Sequence, residues 1–302
     1  MNSLVAEVKT KGDAHRGELV YRRAAMLCQT CHGIGGGGPE IGPNLLSIGA
    51  SAQIDYLIES MLNPSAKIKE GYHTNVITTK DGAVLAGAIV AKDGQTVTLR
   101  DAAGQLQPIP AQNIHKNEIL PVSLMPPGLT ASLRKDEFLD LIKFMSELGR
   151  EGDFKVPPQN YVRRWQVLQP TDALGRAHNL QGDRLFASAD PALTWMPAYS
   201  TASGALPGDE VPTIRLWNNF NRRVAQFEVD MAAAGPVTVA LPDPTAIRFI
   251  QGEQIIEAQP RTTLTLPAGR QTITLFYDPG QRPAPLLVEL VDSPAAKLVT
   301  GR

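Results

Sequence analysis

The sequence predicts a multidomain chain, with a mainly α domain that contains an inserted antiparallel β meander and then an all-β sandwich. Apolar residues recur at helical spacing before residue 63 and again over 131–148, whereas residues 73–119 alternate at strand spacing. Beyond Gly149 the composition changes, because all three tryptophans lie there and ten of the eleven lysines lie at or before Lys155. These changes place the first domain at 12–150, a linker at 151–158 and the sandwich at 159–302.

The composition is that of an ordinary globular protein. The 302 residues are 43% hydrophobic and 20% charged, with a formal net charge of −1. So small a net charge disfavours nucleic acid and anionic membranes as partners. No apolar run is long enough to be a transmembrane segment. The N-terminal residues lack the apolar core of a secretory signal.

Three helices are predicted in the first domain. Asp13 is a suitable N-cap for a helix over 14–27, and amphipathic patterns predict helices over 52–62 and 131–148. Between the last two helices, turns that contain Asp and Gly separate four short strands, as in hairpins. These strands are 76–78, 84–90, 96–99 and 106–109, within an insert at about 73–119.

Short alternating runs dominate after Pro157-Pro158, a dipeptide that predicts a stiff linker. Turn residues punctuate these runs about every eight to twelve positions, as in a β-sandwich. The predicted strands are 161–168, 213–217, 224–229, 237–241, 246–250, 262–266, 271–276 and 286–291.

Both cysteines of the chain lie in one pentapeptide, Cys28-Gln29-Thr30-Cys31-His32. On a helical turn, cysteines three apart point to one side, and the next residue turns its imidazole toward the same side. One turn can therefore supply two thioether bonds to a porphyrin and one histidine ligand to its iron. This is the C-x-x-C-H signature of covalent haem c, and two cysteines account for one haem.

A C-x-x-C segment also occurs in redox disulfides, in zinc sites or by chance. Zinc requires further ligands, and the remaining histidines have no ligand-pair spacing: His15, His73, His115 and His178. A thioredoxin-like site follows a strand, whereas this segment follows a predicted helix and precedes a glycine-rich run. The context therefore favours haem.

A haem iron takes a sixth ligand or keeps an open position. Met125 lies in a proline-rich loop that can hold a thioether in place, and it fits this role better than the other methionines. The alternatives are that Met125 is an ordinary buried loop residue, or that His73 or His115 is the second ligand.

Residues from about 12 to 149 resemble a class I c-type cytochrome domain. The features that carry the resemblance are Gly17, Tyr21, the C-x-x-C-H at 28–32, Gly42-Pro43-Asn44-Leu45, the Met125 loop and Phe144. The inserted hairpins and the Met-Pro-Pro-Gly-Leu ending are similar to the planctomycete and verrucomicrobial haem-binding type, which often follows a propeller-type dehydrogenase. This resemblance implies a mainly α cytochrome c fold, in which Gly17 and Tyr21 meet Phe144 where the first and last helices cross.

The resemblance also implies a cofactor, its ligands and a location. The cofactor is one covalent haem c, and the binding residues are Cys28, Cys31, His32, Pro43, Leu45 and Met125, with His32 and Met125 as metal ligands. The carbonyl oxygen of Pro43 would accept the Nδ1 proton of His32, and Leu45 would pack on the porphyrin. Such proteins are periplasmic or exported, so we expect this chain to be a mature fragment or the C-terminal part of a longer exported protein.

The second domain resembles jelly-roll or galactose-binding-like sandwiches of secreted enzymes, through 224–229, the turn at 234–236 and 266–272. Its three tryptophans form either a sugar-stacking platform or part of the core. Carbohydrate is therefore a candidate partner of the sandwich.

Together these features predict a monohaem electron carrier rather than an enzyme. Its partners would be redox proteins such as a periplasmic dehydrogenase or a terminal acceptor. One alternative is a binding module whose sandwich docks the chain to carbohydrate or to a partner protein. A haem peroxidase is less favoured, because c-type peroxidases resemble two-haem proteins and the sequence has no second C-x-x-C-H.

Overall fold

The computed structural model describes residues 1–36, 38, 41–217, 220–282 and 284–299. The described residues form two compact units, unit 1 at Met1–Val156 and unit 2 at 157–299. Among the described residues, no helix combines the length and the apolar character that crossing a bilayer requires.

The predicted fold class is wrong. The described structure is 26% helical and 34% strand, with three antiparallel sheets and seven short helices, so unit 1 is not a mainly α cytochrome c domain. The helical patterns correspond to short elements, of which the longest has 13 residues. A five-stranded sheet occupies much of the same unit. Unit 2 is not all β either, because it contains a ten-residue helix.

Unit 1 contains six helices among its described residues. They are α1 Asn2–Lys11, α2 Ala14–Arg22, α3 Cys28–Cys31, α4 Ile48–Ser51, α5 Ile54–Leu62 and α6 Lys135–Glu147. The helix predicted over 14–27 ends early, because Arg23 is extended and its guanidinium donates to Oε1 of Glu137 at 2.6 Å. A 3₁₀ turn, Ala24–Met26, follows and buries Met26. Leu27 then adopts a left-handed backbone, with φ at 57°, before α3 begins.

Helices α2 and α6 cross at Gly17. The side chain of Asp13 caps α2 by accepting from the amide of Arg16 at 3.0 Å. A Cβ on Gly17 would lie 2.0 Å from the carbonyl oxygen of Asp140 and 2.7 Å from Cβ of Phe144, so only glycine permits this approach. One turn later the rings of Tyr21 and Phe144 are 5.6 Å apart between centroids. Gly17 and Tyr21 therefore meet Phe144 at the crossing.

The sheet of unit 1 has the strand order β4-β3-β2-β1-β5. Its strands are β1 His73–Thr79, β2 Val84–Lys92, β3 Thr96–Arg100, β4 Leu106–Pro110 and β5 Ile114–Ser123. The first four contain the four strands of the predicted meander, whereas β5 was not predicted. One face of the sheet buries Ile77, Val97, Leu99 and Ile109 together. Most residues of β5 are exposed, in agreement with its place at the edge.

Unit 2 is built mainly of two antiparallel sheets. Its elements are β6 Arg164–Leu168, α7 Asp172–Gln181, β7 Trp195–Tyr199, β8 Ile214–Arg215, β9 Asn221–Met231, β10 Gly235–Ala240, β11 Ile247–Gln251, β12 Gln254–Glu257, β13 Arg261–Leu266, β14 Gly269–Tyr277, β15 Glu289–Val291 and β16 Ala296–Leu298. One sheet has the order β13-β10-β15, and the other has eight strands around β12-β11-β14-β9-β6-β7. The apolar core includes Trp165, Phe227 and Phe249.

Strand β9 has partners on both sides. Strand β14 pairs with it from Arg223 to Met231. On its other side three strands follow one another, β8 near Asn221, β6 near Ala225 and β16 near Val229. The strand therefore connects segments that lie far apart in the sequence.

Candidate functional site

The Cys28–Cys31 helix is a single turn that presents two thiols and one imidazole. The amide of His32 donates to the carbonyl oxygen of Cys28 at 2.8 Å and closes the turn. At its start, Oγ1 of Thr30 donates to the carbonyl oxygen of Leu27 at 2.6 Å. Both cysteines are half-buried and carry free thiols, so no disulfide joins them. The turn therefore holds two reactive groups side by side, followed directly by a histidine.

The thiol of Cys28 is held in its protonated form. Burial raises its pKa from 9.0 to about 11, and its Sγ lies 3.6 Å from the carbonyl oxygen of Met26. Thioredoxin-like sites and zinc ligands require thiolates, which such an environment disfavours. Burial therefore disfavours the thiolate of Cys28 in the metal-free chain.

The imidazole of His32 has a fixed orientation and tautomer. Its Nδ1 lies 2.8 Å from the carbonyl oxygen of Pro43. Because a carbonyl oxygen can only accept, Nδ1 must carry the proton. Burial lowers the pKa of His32, although the bond to Pro43 acts in the opposite direction, and the ring is therefore neutral near pH 7. In this state Nε2 presents a lone pair, the form in which histidine binds metals.

The loop after His32 returns to enclose its ring. The amide of Gly42 donates to the carbonyl oxygen of Cys31 at 2.8 Å, and the amide of Leu45 donates to that of Gly33 at 2.9 Å. Oδ1 of Asn44 accepts from the amide of Leu46 at 2.8 Å and stabilises the turn that follows. These backbone bonds bring Pro43 within reach of the imidazole.

Two further residues contact His32. A Cβ on Gly42 would lie 2.5 Å from Cε1 and 2.8 Å from Nδ1 of the ring, so the backbone of Gly42 lies directly against the imidazole. The hydroxyl of Tyr21 donates to the backbone carbonyl oxygen of His32 at 2.8 Å. Neither contact was predicted from the sequence, in which Tyr21 was expected only to pack on Phe144. The glycine at position 42 indicates that another group approaches the backbone closely there, but the sequence does not show that this group is the ring of His32.

The structure brings five of the six predicted cofactor-binding residues into one segment. Cys28, Cys31 and His32 belong to the turn, and Pro43 and Leu45 belong to the enclosing loop. Leu45 is 9% exposed. Its apolar side chain is therefore buried inside unit 1 and is not part of the surface.

Met125 and the two alternative histidines lie elsewhere in unit 1. Met125 is half-buried after the end of β5, and its amide donates to Oγ of Ser123 at 3.1 Å. Among the described residues, no hydrogen bond links this loop to the loop around His32. His73 begins β1, and His115 is exposed on β5. The structure therefore does not join any of these three residues to the His32 segment by a direct bond.

The prediction of a metal-binding cytochrome c is corrected on two counts. In the part of the chain that the structure describes, no three His, Cys, Asp or Glu side chains come together as ligands of a metal ion. The fold is also β-rich, which the predicted cytochrome class is not. The described side chains therefore do not form a site for a bare metal ion. What the segment offers is two thiols and one neutral imidazole.

The tryptophans of unit 2 do not share one surface. Trp165 is 1% exposed in the core, where its Nε1 donates to Oγ of Ser200 at 3.0 Å. Trp195 packs against a second buried cluster, and Trp217 is exposed. Trp165 is therefore not available to stack on a sugar.

No family model matches the chain, and no curated protein matches it. Among solved structures, a family two carbohydrate esterase from Clostridium thermocellum, in complex with cellohexaose, is 13% identical over 26% of this chain and 28% of its own. The TM-score of that superposition is 0.17. This chain spans less than a third of the length of that esterase, and the likeness carries no argument about fold or function.

Proposed function

We propose that unit 1 holds one covalently attached haem c and exchanges single electrons with other proteins, in the periplasm or outside the cell. Cys28 and Cys31 would hold the porphyrin by thioether bonds, and His32 would ligate its iron. Because a porphyrin supplies four nitrogen ligands itself, this arrangement does not need a cluster of metal-binding side chains. The group supplies one-electron redox chemistry when bound.

The observation that carries the proposal is the hydrogen bond from Nδ1 of His32 to Pro43. It fixes which nitrogen has the proton and leaves Nε2 as the nitrogen with the lone pair. Two free thiols lie within one helical turn of this imidazole. Cys28 and Cys31 would each add S–H across a vinyl group, sulfur to one carbon and hydrogen to the other, so that no leaving group and no oxidant is needed.

The residues around His32 restrict its movement. Gly42 lies against the ring, Pro43 holds Nδ1, and Tyr21 holds the backbone carbonyl. A ligand that does not reorient between oxidation states keeps the reorganisation small, which suits electron transfer. We therefore assign these three residues to positioning His32, and none of them to a catalytic step.

Met125 is proposed as the second axial ligand. Its amide is held by Ser123, and Pro126 and Pro127 restrict the backbone that follows. A thioether ligand raises the potential of haem iron, as suits a carrier between a dehydrogenase and a terminal acceptor.

Attachment is tested by producing the full chain in the periplasm of a host that matures c-type haem proteins. The expected product has the intact mass of the chain plus one haem and a pyridine haemochrome spectrum typical of two thioethers. Cys28→Ser and Cys31→Ser should each change that spectrum, whereas the matched substitution Ser203→Cys, which adds a thiol in unit 2, should leave it unchanged. A colourless product of unmodified mass would refute the proposal.

Axial ligation is tested separately on the loaded protein. Met125→Ala should remove the sulfur-to-iron charge-transfer band of the ferric form and lower the reduction potential. His73→Ala and His115→Ala should leave both unchanged. Loss of the band in either histidine variant, but not in Met125→Ala, would assign the ligand elsewhere.

A further inference from the structure

A solvent-open cleft lies in unit 2 between the start of α7 and the segment that contains β8. Its volume is about 490 Å³, within the range of small-ligand sites. Thr171, Asp172 and Gly175 line it on the side of α7, and Thr213 and Arg215 line it on the side of β8. Two of these side chains carry hydroxyls and two carry opposite charges, so the cleft suits a polar ligand.

Gly175 leaves the cleft open. It lies inside helix α7, where glycine lowers helix stability relative to alanine. A Cβ at this position would meet no atom within 4 Å, and the φ angle is outside the left-handed region. Neither a close neighbour nor the backbone conformation therefore requires glycine here. A larger side chain would occupy space that the cleft offers to a ligand.

The two charged side chains of the cleft are available to a ligand. Among the described residues, no ion pair or hydrogen bond engages the carboxylate of Asp172 or the guanidinium of Arg215. An anion would be repelled by Asp172 and a cation by Arg215, so the pair favours a ligand without net charge. Hydroxyl groups suit both, because they donate to the carboxylate and accept from the guanidinium.

An exposed aromatic ring follows the cleft along the chain. Ile214 and Leu216 are buried in one apolar cluster, whereas Arg215 and Trp217 are exposed, the latter by 71%. In an extended chain, residues two apart lie on the same side and are separated by about 7 Å. Trp217 therefore lies next to Arg215 on the side of the chain that faces away from the cluster.

A second exposed ring belongs to the same turn. The amide of Leu216 donates to the carbonyl oxygen of Phe220 at 2.8 Å and closes the turn that leads into β9. Among the described Trp, Phe and Tyr residues, Trp217 and Phe220 are the two that are exposed. The exposed aromatic surface of unit 2 is therefore concentrated beside the polar cleft.

We infer that this cleft binds a neutral saccharide. A sugar ring combines hydroxyls on its edge with an apolar C–H face. The hydroxyls would bond to Asp172 and Arg215, and the C–H face of a neighbouring unit would pack on Trp217. The site uses residues of unit 2 alone, so the inference does not depend on the proposed function.

Isothermal titration calorimetry of the full chain tests the inference. The probes are neutral oligosaccharides of glucose, xylose, mannose and galactose, each titrated separately. At least one should bind with a dissociation constant of about 1 mM or lower. Trp217→Ala, Arg215→Gln and Asp172→Asn should each weaken that binding by about tenfold, and Trp217→Phe, which keeps an aromatic face, should weaken it less.

Substitutions on one helix separate the cleft from the rest of the surface. Gly175→Gln fills the cleft and should weaken binding by about tenfold. Ala173→Gln adds the same side chain at an exposed position outside the cleft and should have no effect. Leu180→Ala, which removes an apolar side chain that is 88% exposed, is the matched control for Trp217→Ala and should also have no effect.

Three results would each overturn the inference. The first is that none of the four oligosaccharides binds. The second is binding that Trp217→Ala and Gly175→Gln leave unchanged, which would place the site elsewhere. The third is tighter binding by Asp172→Asn than by the wild type, which would show that the carboxylate repels the ligand. The substituted side chains are exposed or face open space, so circular dichroism should show unchanged folding in every variant.

Discussion

Replacing Gly42 by alanine should loosen the loop that holds His32. An added Cβ would lie 2.5 Å from Cε1 of the ring, whereas ordinary contact begins at 3.4 Å, so the ring or the loop must move by about 0.9 Å. A displacement of that size takes the 2.8 Å bond between Nδ1 and Pro43 out of hydrogen-bond range unless Pro43 follows. The φ angle of Gly42 is not in the left-handed region, so alanine causes no backbone strain of its own.

The expected cost has two parts. Losing the hydrogen bond between Nδ1 and the half-buried Pro43 costs about 1 kcal/mol, and overpacking a closed site costs about 1–3 kcal/mol. The opening of the loop should therefore become easier by about 2–4 kcal/mol, which corresponds to a fall in amide protection of about 30- to 1,000-fold. The amide of Leu45, which donates to Gly33 in the same loop, reports this opening.

Hydrogen exchange of the haem-free full chain measures the effect at Leu45. Gly94→Ala is the matched control, because nothing lies within 4 Å of its added Cβ and its φ is also outside the left-handed region. The control should leave the protection of Leu45 unchanged. If Gly42→Ala changes that protection by less than about threefold, or if both variants change it equally, Gly42 does not position His32 as described.

Three further outcomes follow from the structure. In the haem-free chain at about pH 8, Cys28 should be alkylated about tenfold more slowly than an exposed thiol. Its raised pKa lowers the fraction present as thiolate more than it raises the nucleophilicity of that thiolate. Mass spectrometry follows the alkylation, and equal rates for the two thiols would contradict this prediction. Burial alone would raise the pKa of Asp183, but hydrogen bonds from His178 and Arg222 hold it below 3.8. The stability that this carboxylate contributes to unit 2 is therefore present above about pH 4 and lost as the pH falls through the lowered pKa. In urea titrations, the free energy of unfolding of Asp183→Asn should fall less on acidification than that of the wild type. Gly17→Ala should destabilise unit 1 by about 2 kcal/mol in the same titrations, because a clash with backbone outweighs the gain in helix propensity; a stabilised variant would contradict the crossing geometry.

Local signals in the sequence predict the local elements of the fold. Asp13 caps α2 as expected, and the Asp- and Gly-containing turns separate the strands of the meander. Strand β5 was missed because His115 to Glu118 are polar on both faces, as only an edge strand permits. Strand β7 was missed because Pro197 interrupts its pattern, and this strand too lies at a sheet edge.

The balance between helix and strand was not predictable from these signals. Apolar spacing marks where a helix occurs, but its length depends on tertiary contacts such as the bond from Arg23 to Glu137, which accompanies the early end of α2. A pattern that predicts one helix over 14–27 therefore corresponds to α2 and the 3₁₀ turn Ala24–Met26. The mainly α class came from the resemblance to a cytochrome c domain, whereas unit 1 adds a fifth strand, β5, to the predicted meander.

In the candidate site, too, some features were predicted from the sequence and others were not. Spacing alone places Cys28, Cys31 and His32 on one turn, and the resemblance indicated that Pro43 would hold Nδ1 of the histidine, a contact present at 2.8 Å. The contacts of Gly42 and of the Tyr21 hydroxyl with His32 depend on how the loop closes. That closure is a long-range event, and one sequence contains no periodic signal for it.

The partners of β9 also determine the order in which unit 2 can assemble during synthesis. Strand β6 emerges from the ribosome about sixty residues before the part of β9 with which it pairs, at Gln166 and Gln226. The last partner, β16, pairs Leu298 with Val229 and becomes available only when the chain is almost finished. Such distant pairings make folding slow. Unit 2 should therefore condense late and in one step, and a nascent chain that stalls before Ala296 should remain sensitive to proteases and available to chaperones.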